Sequence, residues 1–498
     1  MLITDTQLLF YQRCPRRAFL DYYGDSHQKQ PPSDFLLKLT QDSLAHQRSL
    51  LAEMTYHRPQ YPHRDWETGM KATLELMKQG VERICQGVLL WQPPDLQQVD
   101  LTHSLGEITL LSCPDLLVKQ PGHSLFGDWM YIPVEIKLGK RPKLDYQIAA
   151  AFHADVLGAI QGEIPPKAEL ILREKGSYAV NLKQRLPQMQ DVLQEYVEML
   201  AHQEEPEIFM ARQKCNLCTW YDSCYAIAQS QNHLSLLPGV TPSRYTRLQT
   251  LNLTTVEALA QAPFQQLEPY PEFGSEVAQQ LIQQAQVSWN NQPMLRPGVS
   301  ENSFNLSGLN LPDNAPIEIY FDIEAQPDLN LDYLHGVLVV DYRNQTETFY
   351  PFLAENKAEE EQVWQQFLEL VWSYPISPIY HFCDYEAKTV QRLARLYQTP
   401  TYLWKPLLKR FVDIHNMVTQ TVFLPVESYA LKSIARWLGF QWRDPEANGA
   451  QSVCWYEQWL KSGDRSRLEA IIQYNEDDCR ATYHVKDWLT QFLRQSQF

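Results

Sequence analysis

The chain is short of positive charge: 43 lysines and arginines stand against 59 aspartates and glutamates, a formal net charge of −16 over 498 residues. That balance argues against a general nucleic-acid binder with a basic surface, so a polyanion would have to be met by local patches. Long apolar runs are missing as well. No stretch approaches the roughly 20 residues needed to cross a hydrocarbon core, so no membrane partner is expected. The opening MLITDTQLLFYQRC has no basic segment ahead of an apolar one and does not read as a secretory signal. Nine cysteines, odd in number and unevenly spaced, do not make the paired framework of a small secreted domain. A reducing cytoplasm is expected. No G-x-x-x-x-G-K-[ST] run is present, which leaves an ATP-driven motor unsupported. What is abundant is apolar and aromatic residue, 44% and 12%, enough for several buried cores in a chain too long for one.

Two strand-like runs, EITLLSCPDLLVK and MYIPVEIKLG, flank a Pro/Gly/Asp turn in the manner of a β-hairpin. On the second run Glu135 and Lys137 are two residues apart and project from one face. Asp115 lies on the neighbouring strand behind Pro114, which suits a bulge or a strand start. Two carboxylates on adjacent strands hold a divalent ion through oxygen, and a nearby ammonium polarises phosphate or positions water. An exposed hairpin with ordinary charges is the plainer alternative. PD followed by ExK at this distance resembles the PD-(D/E)XK nucleases. That resemblance implies a restriction-endonuclease-like core over residues 1–230, with Asp115 and Glu135 as metal ligands and Lys137 as catalytic lysine. In its RecB-like branch a helix histidine before the PD strand adds a ligand, by position His46 in DFLLKLTQDSLAHQRSLLAEM. The branch also carries a glutamine on the next helix, here Gln147, although Ala151 stands where its companion tyrosine is expected.

CNLCTWYDSC brings Cys215, Cys218 and Cys224 into one short loop, one thiolate short of a four-sulfur site. Cys14, in YQRCPRRAFLDYYG, is the fourth candidate. Four thiolates suit zinc and iron–sulfur alike. One N-terminal cysteine and a later group of three, bracketing PD…ExK, is similar to the iron–sulfur-clasped nucleases of the AddB type and the CRISPR-adaptation exonucleases. The resemblance implies a [4Fe–4S] cluster stapling the two ends of the domain, with zinc as the rival. Cys85 and Cys113 lack partners and are expected in the core.

Residues 231–287 contain two short amphipathic helices, the second opened by a capping box of Thr254 and Glu257. The segment resembles a helix-hairpin-helix module with Pro238, Gly239 and Val240 as its turn, a device that grips DNA backbone through turn amides. A helical spacer is the alternative, since Arg244 and Arg247 are its main basic residues. Residues 288–315, rich in Asn, Pro, Ser and Gly, read as a linker.

In residues 316–498 the run PIEIYFDIEA alternates with period two and sets Asp322 and Glu324 on one face of a strand. PIYHFCDYEAKTVQRLARL reads as a strand entering a helix, with Asp384 and Glu386 at the junction, and FVDI, with Asp413, as a core strand. Near the end a helix carries Tyr474 and Asp478 four residues apart on one face. DxE, an acid at a strand–helix junction and YxxxD on a late helix resemble the tyrosine subtype of the DEDD exonucleases, which have an RNase H-like fold. The resemblance assigns Asp322, Glu324, Glu386 and Asp478 to two metal ions, with Tyr474 orienting the attacking water. That family normally has aspartate where Glu386 stands, and Asp384 is near enough to compete.

The whole chain is similar to RecB-like nucleases that join an iron–sulfur PD-(D/E)XK domain, a helix-hairpin-helix region and a YprB-type RNase H-like exonuclease domain. The expected fold is α/β multidomain, with mixed sheets. The expected activity is Mg²⁺- or Mn²⁺-dependent hydrolysis of DNA phosphodiesters at single-stranded ends, in repair or recombination. RNA as substrate, and a non-catalytic DNA-binding repair scaffold, are the alternatives.

Overall fold

In the computed structural model, which describes residues 1–97, 106–174, 176–297 and 315–496, the PD…ExK stretch is built from two sheets rather than one hairpin. Most of the linker expected over 288–315 lies outside the described residues. Leu116–Ser124 runs antiparallel to Gly127–Lys137, with Leu116 opposite Val134. Thr109–Ser112, expected to continue the first of these strands, belongs to another sheet, between Leu2–Thr4 and Leu89–Trp91. The chain changes sheets at Cys113–Asp115, where Pro114 has no N–H to give a ladder.

The described residues form two units, Met1–Ala226 and Ile227–Phe498. In the first, five strands lie in the order Arg83–Cys85, Leu116–Ser124, Gly127–Lys137, Ala168–Leu172 and Gly176–Val180. Only Gly127–Lys137 and Ala168–Leu172 are parallel among these neighbours. Their crossover is helix Leu144–Gln161, which touches strands of both sheets. Residues Gln147 to Ala154 of that helix are all buried, the pattern of a helix enclosed on every side. The unit's two ends are tied by hydrogen bonds. Trp220 Nε1 donates to Asp21 Oδ1 (3.0 Å), Arg16 Nη1 to Pro206 O (2.8 Å) and Gln30 N to Thr219 O (2.7 Å).

In the second unit a sheet runs Thr346–Leu353, Leu331–Asp341, Ile317–Gln326, Ile379–His381, Phe411–Asp413. The first three strands are antiparallel and the last two join in parallel. Phe411–Asp413 thus ends the sheet, and Asp413 caps the following helix by accepting from Asn416 N (3.1 Å). The long helix Arg465–Gln495 packs on this sheet through a buried ion pair. Lys486 Nζ lies 2.7 Å from both oxygens of Glu318, which also accept from Tyr320 (2.6 Å) and Tyr342 (2.8 Å). Such saturation is what makes a buried charge tolerable.

Helices Pro242–Thr250, Val256–Gln261 and Gly274–Asn290 belong to the same unit. Thr255, not Thr254, caps the second, because its hydroxyl is the one within reach of Ala258 N (3.1 Å). The Pro238–Val240 turn follows a short 3₁₀ turn, Leu234–Leu236, rather than a full helix. Gln284 Nε2 donates to Leu424 O (2.8 Å), and Met294–Leu295 pairs with Val422–Phe423, so this segment is fastened to the mixed-sheet layer. No helix among the described residues is long and apolar enough to cross a membrane.

The long helix approaches the sheet most closely at Gly336, where a Cβ would lie 1.5 Å from Asn475 Oδ1. Gly336→Ala is expected to cost about 1–3 kcal/mol by overpacking, read as a fall of several degrees in the thermal midpoint. An unchanged midpoint would refute this close approach.

Candidate active site

Strand Ile317–Gln326 presents Asp322 and Glu324 on one face, and helix Arg465–Gln495 brings Asp478 to them. One donor atom from each lies within 4.8 Å of the others, the one such group of three or more ligand-bearing side chains found among the described residues. Burial drives Asp322 well above the usual carboxylate range, and repulsion from Asp478, Glu324 and Glu386 adds to it. Glu324 is pushed up to about 8 by burial and by Asp478. Burial takes Asp478 to about 6, moderated by hydrogen bonds from Trp442 and Tyr474. Like charges confined in a dry pocket leave a demand for positive charge that a divalent cation would meet.

Glu386 opens helix Tyr385–Leu396, is 3% exposed and adds to the repulsion at Asp322. Its Oε2 lies 3.5 Å from His381 Nδ1, and burial raises its pKa. Asp384 is different. Its side chain is 67% exposed and ion-paired with Lys388, one turn along the helix, so the competing candidate faces solvent. Tyr474 is buried beside Asp478, with the Lys432 ammonium 5.4 Å from its ring centre.

Several supporting residues escaped the sequence reading. Asn475 Nδ2 donates to Asp322 Oδ2 (2.6 Å), and Trp442 Nε1 donates to Asp478 Oδ1 (2.6 Å). Ser452 hydrogen-bonds both Glu324 and Tyr333. Asn475 had a usable signal, since three residues before Asp478 it shares that helix face. Trp442 had none, lying 36 residues away in the chain.

Residues 319–490 match the family profile of the RNase_H superfamily. The C-terminal domain is therefore RNase H-like, and this superfamily's chemistry is nuclease-type phosphodiester hydrolysis on nucleic acid with divalent metals. No curated protein matches the chain.

The first unit gathers the PD…ExK residues differently from the RNase H-like domain. Asp115 N donates to Glu135 Oε1 (3.2 Å), so the two acids meet across the strand pair. Ile136 N donates to Asp115 Oδ2 (2.6 Å), and the Gln47 amide is hydrogen-bonded to Oδ1. Lys137 is bonded to Glu135 Oε2, and His153 Nε2 lies 3.2 Å from Glu135 Oε1. Burial would raise Glu135, but Lys137 and His153 outweigh it and hold the carboxyl below its ordinary range. Asp115, buried and facing Glu135, rises to about 7. His46 sits one residue before Gln47, and its Nε2 is buried without a hydrogen-bond partner, a free donor atom of the kind a metal takes. Gln147 is committed elsewhere: its Nε2 donates to Pro142 O (2.7 Å), and its Oε1 accepts from Arg185 (2.9 Å).

Cys14, Cys215, Cys218 and Cys224 line one cavity with Arg16, Arg17 and Trp220. Burial, with the neighbouring sulfurs, pushes Cys215 up to about 11, and burial raises Cys218 and Cys224.

The raised acids of the RNase H-like domain fix the sign of its pH response. A carboxyl whose folded pKa is raised contributes stability below its unfolded value, lost as pH rises through the folded one. Without divalent metal, the thermal midpoint of this unit is expected to fall from about pH 4 toward pH 8. Mn²⁺ at pH 8 should restore about 2.7 kcal/mol at a hundred times its Kd. Asp322→Asn with Glu324→Gln should flatten the pH slope and abolish the metal response. A metal response of equal size in that variant would overturn the assignment.

Proposed function

We propose that this protein is a metal-dependent nuclease that hydrolyses DNA from single-stranded ends, with one centre in each unit. The reading is carried by the Asp322–Glu324–Asp478 cluster: three acids within ligand reach of each other, raised by burial and mutual repulsion, in an RNase H-like domain. Asp322, Glu324, Asp478 and Glu386 would hold divalent ions, which when bound supply Lewis-acid stabilisation of phosphoryl oxygens and an activated water. The surrounding residues set the geometry. Trp442 and Tyr474 on Asp478, Asn475 on Asp322 and Ser452 on Glu324 each spend a hydrogen bond on a carboxylate and so fix the acids' orientation. Tyr474 is held in its neutral form by its hydrogen bond to Asp478, which places its hydroxyl at the metal-facing acids, where its oxygen would orient water.

In the first unit Asp115, Glu135 and His46 would hold metal, and Lys137, paired with Glu135, would supply a positive charge beside the scissile phosphate. Cys14, Cys215, Cys218 and Cys224, which line one cavity, would hold a [4Fe–4S] cluster, with zinc as the rival for four thiolates. Any DNA contact by the Pro238–Val240 turn would rest on backbone amides, since Arg244 and Arg247 are bound to Gly239 O and Glu272.

End-labelled single-stranded DNA with Mn²⁺ or Mg²⁺ tests the proposal, with labelled RNA in parallel. Lys137→Ala and Asp322→Ala are each expected to remove the cleavage of their own centre, and Asn475→Ala to weaken its centre by about 10–100-fold. Activity unchanged in both Lys137→Ala and Asp322→Ala, or absent from the metal-loaded wild type, would refute a nuclease. Anaerobic preparations should be brown and lose the colour in Cys218→Ser; a colourless protein with stoichiometric zinc would reverse the cluster assignment.

A further inference from the structure

Neither centre uses the segment His57–Trp66 of the first unit. Its start is stitched to the edge of the five-stranded sheet, His57 N to Arg83 O (2.9 Å) and Cys85 N to His57 O (2.8 Å). Its end enters helix Trp66–Lys78. Between these anchors lies a cavity of about 310 Å³ whose lining includes Arg58, Tyr61, His63, Arg64, Trp66 and Gln86, and no carboxylate. In a chain of net charge −16 that composition is unusual. The nearest acids in sequence, Asp65 and Glu67, line an adjoining recess that shares Arg64 and Trp66 with the cavity, and Asp65 caps its helix by accepting from Thr68 N (3.1 Å).

The lining carries the two chemistries that a nucleotide requires. Arg58 and Arg64 supply planar donors matched to phosphate oxygens. Tyr61 and Trp66 supply aromatic faces, their ring centroids 6.3 Å apart at 51°. The Tyr61 ring is seated against Gly69, where a Cβ would lie 3.1 Å from it, so the side chain is held in place rather than waving in solvent. Gln86, whose side chain bonds Arg58, donates its backbone N–H to Asp115 O (3.1 Å). The cavity wall is therefore hydrogen-bonded directly to a residue of the PD…ExK centre.

We infer that this cavity binds one nucleotide of a single strand, its phosphate on Arg58 and Arg64 and its base on Tyr61 and Trp66, beside the centre at Asp115. The inference rests on reading that centre as a nuclease. Stacking needs an unpaired base, so single-stranded rather than duplex nucleic acid is the ligand.

The test uses the full-length protein in EDTA, where cleavage is stopped, and the fluorescence anisotropy of a labelled 12-mer oligodeoxythymidine. Arg58→Ala with Arg64→Ala should raise Kd at least about tenfold in low salt and make the slope of log K against log [salt] shallower by about 0.7 per lost phosphate contact. Tyr61→Ala should raise Kd about 5- to 100-fold with the slope unchanged. Arg58→Lys with Arg64→Lys should recover the slope, and thermal melts establish that each variant is folded. Irradiation of a 5-iodouracil oligonucleotide should label Tyr61 or Trp66. No binding by the wild type, unchanged Kd and slope in the arginine variant, or cross-links only elsewhere would each overturn the inference. If the wild type cleaves with Mn²⁺ and the arginine variant binds normally, the cavity fails while the nuclease stands. If the wild type never cleaves but the arginine variant loses binding, the nuclease fails while the cavity stands.

Discussion

Carboxylates that are buried together repel, and the second unit is arranged around that repulsion. Asp322, Glu324 and Asp478 meet where a strand and the long helix cross, with Glu386 adding charge from a third element. Nothing in the cluster neutralises them fully. Trp442 and Asn475 each satisfy one oxygen without adding charge. A few residues along the same helix, Lys486 gives Glu318 a complete ionic partner, which fastens helix to sheet. One end of the contact is thus electrostatically closed and the other left open. The open end is the acidic pocket, whose raised carboxyls leave a demand for positive charge.

The first unit handles the same problem in the opposite way. Glu135 is buried but answered by Lys137 and His153, and Asp115 takes its hydrogen bonds from Ile136 and Gln47. All four oxygens of the pair already have protein partners, and each carboxylate oxygen has a second lone-pair site that a metal would use. At the unit's ends the cysteine cavity is framed by hydrogen bonds from Trp220, Arg16 and Gln30. The two ends are therefore tied by more than sulfur.

Much of the fold was legible because it depends on short periods. The alternation in PIEIYFDIEA places Asp322 and Glu324 together on any strand, and the spacing of Tyr474 and Asp478 does so on any helix. The Glu135–Lys137 pair follows the same rule. Where the reading went astray, a single residue had broken the period. Pro114 interrupts what looked like one strand and sends its two halves to different sheets. The neighbouring threonines 254 and 255 are alike in sequence, and only the approach angle of the chain makes Thr255 the cap. Asp384 and Glu386 are two residues apart at a helix start, so the turn points one at solvent and buries the other beside His381.

The sequence by itself determined which residues share a face within a strand or helix, since backbone geometry repeats every two or 3.6 residues whatever surrounds it. It also determined, through composition, apolar residue enough for several cores. Tertiary structure alone decided which faces meet: Trp442 and Asn475 on the acids, Gln47 on Asp115, Gln147 on Arg185, and Arg58, Tyr61 and Trp66 around one cavity. Those contacts join segments separated by tens of residues or more. Their partners are chosen by how helices and sheets pack, which no local period encodes.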